Sequence, residues 1–137
     1  MSGEFRYVVR RPIWESFWRF FQQMKNHGRI VATDPDPARL QRLEENCARL
    51  GATCVQIERW PLVPETNAKL WDRILVDAPC SNTGVMRRRI ELRGRLRPEE
   101  LLRLQRAQLN ILEAAAPQLK RDGRLIYSTC SLEPEEN

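Results

Sequence analysis

Short runs of β-branched and other apolar residues alternate with longer amphipathic stretches along this chain of 137 residues. Apolar runs of four to six residues bounded by turn residues are typical of strands in a sheet that is covered on both faces. The sequence predicts four such strands, over residues 29–33, 53–57, 73–76 and 124–127.

Two amphipathic helices are predicted between these strands. Asp36 can cap the first helix, Pro37 suits its first turn and Gly51 suits its end. The second helix runs from about residue 98 to residue 119, and Pro117 bends or ends it. Their apolar faces comprise Leu40, Leu43, Cys47 and Leu50 in the first helix, and Leu101, Leu104, Ile111, Leu112 and Ala115 in the second.

Strands that alternate with helices predict an α/β fold with a mostly parallel, doubly wound sheet. Asp122 and Gly123 are expected to turn the chain into the last strand. Residues 13–25 form a candidate aromatic-rich helix, and residues 60–70, with two prolines, are expected to form a loop. The length suits a single domain over residues 1–137.

The charge balance favours a nucleic-acid partner. The chain has 23 Lys and Arg against 18 Asp and Glu, a net charge of +5, and a pI near 9.4. No stretch approaches the ~20 apolar residues that cross a bilayer, and no signal peptide is visible, so we expect no membrane partner. The four cysteines lack zinc-finger spacing, so we expect no metal. Free thiols in a reducing, cytoplasmic setting are the simplest interpretation.

Two of the cysteines lie in short loops that directly follow predicted strands. Cys80 lies in Asp-Ala-Pro-Cys-Ser-Asn-Thr-Gly after residues 73–76, and Cys130 lies in Thr-Cys-Ser-Leu-Glu-Pro-Glu-Glu-Asn after residues 124–127. Ligands of open α/β sheets bind outside the carboxyl ends of the strands. The two thiols are therefore expected to face one substrate. Cys47 and Cys54, on an apolar helix face and in a strand, are expected to be core residues.

These two motifs resemble the signatures of the RNA (cytosine-5) methyltransferases of the Sun/Nop type, which include enzymes similar to ribosomal small-subunit RNA methyltransferase B. The resemblance implies a Rossmann-like class I methyltransferase fold, the cofactor S-adenosylmethionine and an RNA substrate, with ribosomal RNA the expected one. The family's closing hairpin would follow Asn137, and its amino-terminal RNA-binding regions would precede this segment. We therefore expect an incomplete sheet and a partial domain.

The resemblance also implies a covalent mechanism. It assigns to Cys130 the attack on C6 of cytosine, after which C5 can accept the methyl group. It assigns to Cys80 the release step, and to Asp77 a place beside N3 of the base and the methionyl end of the cofactor. A free thiol titrates near ~8.5, so Cys130 is expected to need thiolate stabilisation from backbone amides or a nearby arginine.

Further residues are candidates for binding. An acidic residue after a strand, such as Asp34, typically binds the ribose hydroxyls of a nucleoside cofactor; helix capping is the alternative. Arg39 resembles a family position near the cofactor, with a solvated arginine as the alternative. Arginines beside a base pocket can hold phosphates, and those that follow the first cysteine loop are candidates for RNA contact or a solvated face: Arg87, Arg88 and Arg89.

The amino-terminal part departs from the family pattern, which has an acidic residue and then a Gly-Gly-Lys loop. Residues 5–9 can supply the central strand, but Val8 stands at the acidic position, Trp14 and Glu15 stand at the glycines and Ser16 stands at the lysine. A Gly-rich loop lets backbone amides approach a cofactor. We therefore expect weak affinity for S-adenosylmethionine.

Two other positions depart from the pattern. Arg59-Trp60 replaces an aspartate that contacts the adenine amine in related sequences, and Gly94 replaces a tryptophan. Three explanations are open: a fragment or misread translation of a methyltransferase, which we favour; a catalytically inactive RNA-binding or interaction module; or altered cofactor binding. A thiol redox protein is disfavoured because no resolving cysteine lies nearby in the sequence.

Overall fold

The computed structural model describes residues 6–10, 18, 21–59, 70–85 and 97–137. Several sequence predictions concern residues outside these ranges: the arginines Arg87, Arg88 and Arg89, the loop positions Trp14, Glu15 and Ser16, the two departures Trp60 and Gly94, and the loop over residues 60–69.

The described residues form one sheet of five strands: β1 Arg6–Arg10, β2 Arg29–Asp34, β3 Val55–Arg59, β4 Trp71–Asp77 and β5 Leu119–Ser128. The strand order is β3-β2-β1-β4-β5, and all neighbouring pairs are parallel. The winding reverses between β1 and β4, which is where ligands bind in such sheets, beyond the carboxyl ends of the strands. The predicted parallel, doubly wound sheet is confirmed.

β1 is the central strand. Val8 pairs with Val31 of β2 on one side and with Ile74 of β4 on the other. The strand predicted over residues 5–9 is therefore confirmed, shifted by one residue. Since β1 lies between β2 and β4, the residues that end β2 and β4 lie at the same edge of the sheet.

Among the described residues, two long helices cover the sheet: α1 Pro37–Leu50 and α2 Pro98–Ala115. The predicted caps of α1 are present, because Asp36 accepts a hydrogen bond from the backbone of Ala38 and Gly51 adopts a left-handed φ of 65°. α2 ends before Pro117, and a 3₁₀ turn over Ala116–Gln118 follows it. Residues 21–24 are also helical, within the predicted helix over residues 13–25.

The core lies on both faces of the sheet, since adjacent residues of β2 point in opposite directions. Ile30 packs on the side of α1, and Val31 packs on the side of α2. Fully burying an aliphatic side chain of this kind contributes about 1.5–3 kcal/mol. Cys47 and Cys54 lie in the cluster beneath α1, which confirms their prediction as core residues.

The structure corrects the predicted start of the last strand. β5 begins at Leu119, so the pair Asp122 and Gly123 lies within the strand instead of turning the chain into it. The pairing of β4 with β5 shifts register between Trp71 and Arg73, and this irregularity accommodates the additional residues of β5. No helix among the described residues is long and apolar enough to cross a membrane.

Candidate functional site

The two cysteine loops extend the pairing of β4 with β5 beyond the ends of the strands. Asp77 pairs with Ser128 as the last register pair. The backbone N–H of Ala78 then donates to the Ser128 carbonyl at 3.0 Å, and that of Gly84 donates to the Cys130 carbonyl at 2.9 Å. The loops are therefore held side by side at the carboxyl edge of the sheet.

This arrangement brings the two predicted thiols into contact. The sulfur atoms of Cys80 and Cys130 lie 2.9 Å apart, and both residues are half-buried free cysteines. The structure thus brings the two thiols together, whereas their facing one substrate and their individual roles stay predictions. Two nucleophilic atoms at this separation can both reach a single planar base.

Asn82 holds the sulfur pair in place and was missed by the sequence analysis. Its side-chain Oδ1 accepts a hydrogen bond from the Cys130 thiol at 2.9 Å, and its Nδ2 donates to the Cys80 carbonyl at 3.1 Å. Asn82 has a positive φ of 61°, a conformation that asparagine tolerates better than most residues. An asparagine two residues after a Pro-Cys turn is a sequence signal for this conformation.

Glu136 links the two loops through a buried carboxylate. It is 2% exposed. Its Oε1 accepts from the Ser81 backbone N–H at 3.0 Å and from Gln108 Nε2 at 2.8 Å, and its Oε2 accepts from the Ser81 hydroxyl. The same Gln108 nitrogen donates to the Pro79 carbonyl at 2.8 Å. Glu136 therefore ties the first cysteine loop, the second cysteine loop and α2 together.

Burial works against the charge of Glu136 by raising its pKa, but hydrogen bonds from Ser131, Ser81 and Gln108 outweigh burial. The net result is a pKa below the ordinary value for a glutamate. The carboxylate is therefore ionised at neutral pH. No sequence pattern singled out Glu136, because a charged residue soon after a proline is usually exposed.

A hydroxyl cluster fills the space between the loops. The Ser131 hydroxyl lies 3.0 Å from the Ser81 hydroxyl and 3.2 Å from that of Thr83. The Thr83 hydroxyl accepts from the Leu132 backbone N–H at 2.8 Å. Gly84 completes the contact, because a Cβ atom there would lie 2.6 Å from the Cys130 carbonyl oxygen. The loops can approach this closely only with glycine at position 84.

The environment of Cys130 raises the pKa of its thiol to about 12. Burial is the largest cause, followed by the hydrogen bond with Cys80, the charge of Cys80 and the charge of Asp77. The expected stabilisation of the thiolate by the backbone is present but outweighed, because a backbone hydrogen bond lowers this pKa by less than the other causes raise it. At neutral pH the Cys130 thiol keeps its proton.

Asp34 and Arg39 lie together after β2. The Asp34 side chain is almost fully buried. Its Oδ1 accepts from the Asp36 backbone N–H at 2.8 Å, and its Oδ2 lies 3.6 Å from Arg39 Nη1. Asp36, and not Asp34, caps α1. The carboxylate of Asp34 thus fixes the turn after β2 and pairs with a half-exposed arginine, and the cofactor roles of both residues stay predictions.

The remaining expectations for the site concern RNA and metal. The arginines Arg87, Arg88 and Arg89 lie outside the described residues, so their contact with RNA stays a prediction. The last described residue before them is Val85, which ends the 3₁₀ turn Thr83–Val85. Among the described residues, no group of three or more His, Cys, Asp and Glu side chains could hold a metal ion.

Replacing Glu136 tests the link between the loops. We expect Glu136→Gln to lower the free energy of unfolding by about 2–3 kcal/mol at pH 7, because an amide nitrogen would face donors that now bond a carboxylate. The pKa of Glu136 is depressed on folding, so the carboxylate stabilises the fold above pH 4.5 and this contribution is lost as the pH falls further. The difference between variant and unmodified chain should therefore shrink below pH 4.5 in urea titrations.

Glu135→Gln is the matched control for that experiment, since Glu135 is the exposed neighbour of Glu136 in the same 3₁₀ turn. Its effect should stay within about 0.5 kcal/mol. Equal losses in the two variants would contradict the assigned role of Glu136.

The raised pKa of Cys130 predicts slow alkylation. We expect its reaction rate with iodoacetamide to keep rising with pH above 9, and the midpoint of this rise to lie at about 12. Cys80→Ala removes a hydrogen-bond partner and a charge that both raise this pKa, so the midpoint should move down toward 9.0. Mass spectrometry of the Cys130 peptide measures both rates. A midpoint at or below 9 in the unmodified chain would show that Cys130 is activated.

Comparisons with known proteins identify the family of this chain. A family model for the 16S rRNA methyltransferase RsmB/F matches residues 19–137. Ribosomal RNA small subunit methyltransferase B of Photorhabdus laumondii is 38% identical over 120 residues, which are 86% of this chain and 28% of that protein. The probable ribosomal RNA small subunit methyltransferase B of Bacillus subtilis is 38% identical over 117 residues, 83% of this chain and 26% of that protein.

Solved structures give the same result. NSun6 from Pyrococcus horikoshii, crystallised with SFG, superposes with a TM-score of 0.81 at 30% identity over 98% of this chain and 35% of that chain. A methyltransferase homolog protein from the same organism superposes with a TM-score of 0.79 at 34% identity, over 98% of this chain and 42% of that chain. The chain spans 26–28% of the length of the two curated relatives. It has a Rossmann-like class I methyltransferase fold, and it belongs to the 16S rRNA methyltransferase RsmB/F family.

Proposed function

We propose that this domain takes part in S-adenosylmethionine-dependent methylation of cytosine C5 in RNA, with ribosomal RNA as the substrate, through a covalent adduct between cysteine and C6. One observation carries the proposal: two free thiols from different loops meet 2.9 Å apart at the carboxyl edge of a doubly wound sheet. The relatives named for methylation of small-subunit ribosomal RNA support the substrate class.

The chemistry needs a nucleophile for C6, since C5 of cytosine reacts poorly until the ring becomes an enamine. In our proposal the Cys130 sulfur forms a bond to C6 and the thiol proton moves to N3 of the base. Asp77 ends β4 directly before the first cysteine loop, and its charge raises the pKa of the Cys130 thiol; we assign to Asp77 the relay of that proton and the contact with N3. This path avoids a free thiolate, which suits a thiol whose pKa is raised.

The second thiol then resolves the adduct. Once C5 carries the methyl group, it must lose its proton before the bond between C6 and sulfur can break. Cys80 is the partner of Cys130 in the sulfur contact, so its sulfur can reach the atom next to the one that Cys130 attacks. We assign to Cys80 the removal of the C5 proton, after which the Cys130 sulfur leaves C6.

Some of the described residues suit the binding of S-adenosylmethionine, and others would have to move. S-adenosylmethionine would supply the methyl sulfonium that C5 attacks. Asp34 offers carboxylate oxygens suited to ribose hydroxyls, and Asp34 and Asp77 end the strands on either side of β1. Asp34 is covered in this structure and its Oδ2 faces Arg39. Ribose binding would therefore require the half-exposed Arg39 side chain to move. The related NSun6, crystallised with the S-adenosylmethionine analogue SFG, supports the class of cofactor.

A catalytically inactive RNA-binding or interaction module is the alternative. It is favoured by Val8, which occupies β1 at the position where the family has an acidic residue. In either case, we propose that Arg87, Arg88 and Arg89, which follow the first cysteine loop in the sequence, contact RNA phosphates.

Trapping with modified RNA tests the proposed function. RNA that carries 5-fluorocytosine at the target should form a stable adduct, because fluorine replaces the proton that Cys80 removes. We expect Cys130→Ala to abolish the adduct on denaturing gels, and Cys80→Ala to accumulate adducts on ordinary RNA. The target cytosine has to leave its stack, so an unpaired cytosine should react best.

Cys54→Ala is the control, since Cys54 is a core cysteine that touches no substrate in this proposal. The assignment of attack and release is reversed if Cys130→Ala still traps RNA while Cys80→Ala does not. If neither the chain nor a version with a restored Gly-Gly-Lys segment traps RNA, the inactive module is the better account.

Cofactor affinity gives a separate test. Each lost charge-assisted hydrogen bond costs about 1.5–3 kcal/mol, so loss of two at the altered loop would weaken binding roughly a hundredfold or more. We expect little or no binding of S-adenosylmethionine by calorimetry. Replacing residues 8–16 with a segment that carries the acidic residue and Gly-Gly-Lys should restore it. Tight binding by the unmodified chain would overturn this expectation.

A further inference from the structure

The separation of the two sulfur atoms is close to that of a covalent bond. A disulfide has a sulfur–sulfur length of about 2.05 Å, and the sulfurs of Cys80 and Cys130 already lie 2.9 Å apart. Both residues are half-buried, so a small solute can reach them. The two cysteines are 50 positions apart in the sequence. Each is therefore the neighbour of the other in space although neither has a second cysteine close to it in the sequence.

The surrounding contacts keep the thiols together. Gly84 donates its backbone N–H to the Cys130 carbonyl, the Ser81 and Ser131 hydroxyls lie 3.0 Å apart, and Glu136 bonds Ser81. These bonds join the two loops on both sides of the sulfur contact. Each thiol therefore meets the other at a high effective concentration, which favours a second step between them over attack by a solute thiol.

We propose that Cys80 and Cys130 form a redox modification site, at which a hydroperoxide converts the two thiols to an intramolecular disulfide. In the first step one sulfur attacks the peroxide, the oxygen–oxygen bond breaks, and a sulfenic acid and one molecule of water or alcohol form. In the second step the other sulfur displaces the hydroxyl group, and its proton leaves with that group as water. The two sulfurs together lose two electrons, which the peroxide gains.

The consequence for activity rests on the proposed function. A disulfide would occupy both the sulfur that attacks C6 and the sulfur that assists release. The oxidised chain should therefore be unable to form an adduct with RNA. A dithiol such as dithiothreitol should restore the reduced pair by thiol–disulfide exchange.

The chain suits a direct measurement, because trypsin places each cysteine on its own peptide: residues 43–49, 50–59, 74–87 and 125–137. The folded chain is treated with hydrogen peroxide, quenched, alkylated with N-ethylmaleimide and digested. We expect a loss of two hydrogen atoms from the intact mass, two fewer alkyl groups and a cross-link between peptides 74–87 and 125–137. Dithiothreitol should remove the cross-link.

Matched variants identify the pair. Cys54→Ser, which alters a buried core thiol, should leave the cross-link in place. Cys80→Ser and Cys130→Ser should each abolish it, with circular dichroism used to confirm that each variant is folded. The proposal is overturned if the folded, unmodified chain gives only sulfinic or sulfonic acids at Cys80 or Cys130, or if the cross-link joins peptides 43–49 and 50–59.

A parallel trapping assay separates this proposal from the proposed function. Oxidised and reduced chains, each with the Gly-Gly-Lys segment restored, are incubated with 5-fluorocytosine RNA. A reversible cross-link without adducts in either state would leave the disulfide standing and contradict the methylation mechanism. Adducts in the reduced state and none after peroxide would support both proposals, whereas equal adducts in both states would contradict the disulfide proposal.

Discussion

The buried carboxylate of Glu136 holds two loops that lie far apart in the sequence, and the geometry of both thiols depends on it. It accepts hydrogen bonds from Ser81, next to Cys80, and from Gln108 of α2. Its own main-chain carbonyl accepts a hydrogen bond from the Tyr127 hydroxyl at 3.0 Å, near the end of β5. Burying an ionised group is costly unless it is fully hydrogen-bonded. The donors from Ser81 and Gln108 offset that cost, so the carboxylate joins the first cysteine loop and α2 to the second cysteine loop.

The closeness of the thiols has an electrostatic consequence. A charge on either sulfur opposes a charge on the other, and the nearby Asp77 adds to this repulsion on Cys130. The Cys130 thiol therefore keeps its proton at neutral pH. In the proposed mechanism the target base accepts this proton as the sulfur adds to C6. In our redox proposal, the same contact allows the two thiols to be oxidised to a disulfide.

The site has two halves, one that carries the thiols and one that would bind the cofactor, and the thiol half has the denser network of hydrogen bonds. The thiol half, after β4 and β5, has a dense network of hydrogen bonds around Cys80, Cys130 and Glu136. In the half after β2, Asp34 and Arg39 satisfy each other, while the sequence after β1 lacks the glycines that the family uses. Because β1 lies between the two halves, a ligand that spans them must pass over the end of β1. We therefore expect the altered segment to affect cofactor binding.

The sequence by itself determined the parallel sheet, the two helices with the caps Asp36 and Gly51, and the position of Cys80 and Cys130 after neighbouring strands. These features follow from local propensity and the period of apolar residues, which act over a few positions. Only the tertiary structure decided that the sulfurs touch, that Glu136 is buried, and that the pKa of Cys130 is raised. Such properties depend on the distance between atoms from loops 50 positions apart and on the solvent that their packing excludes. No local pattern encodes either quantity.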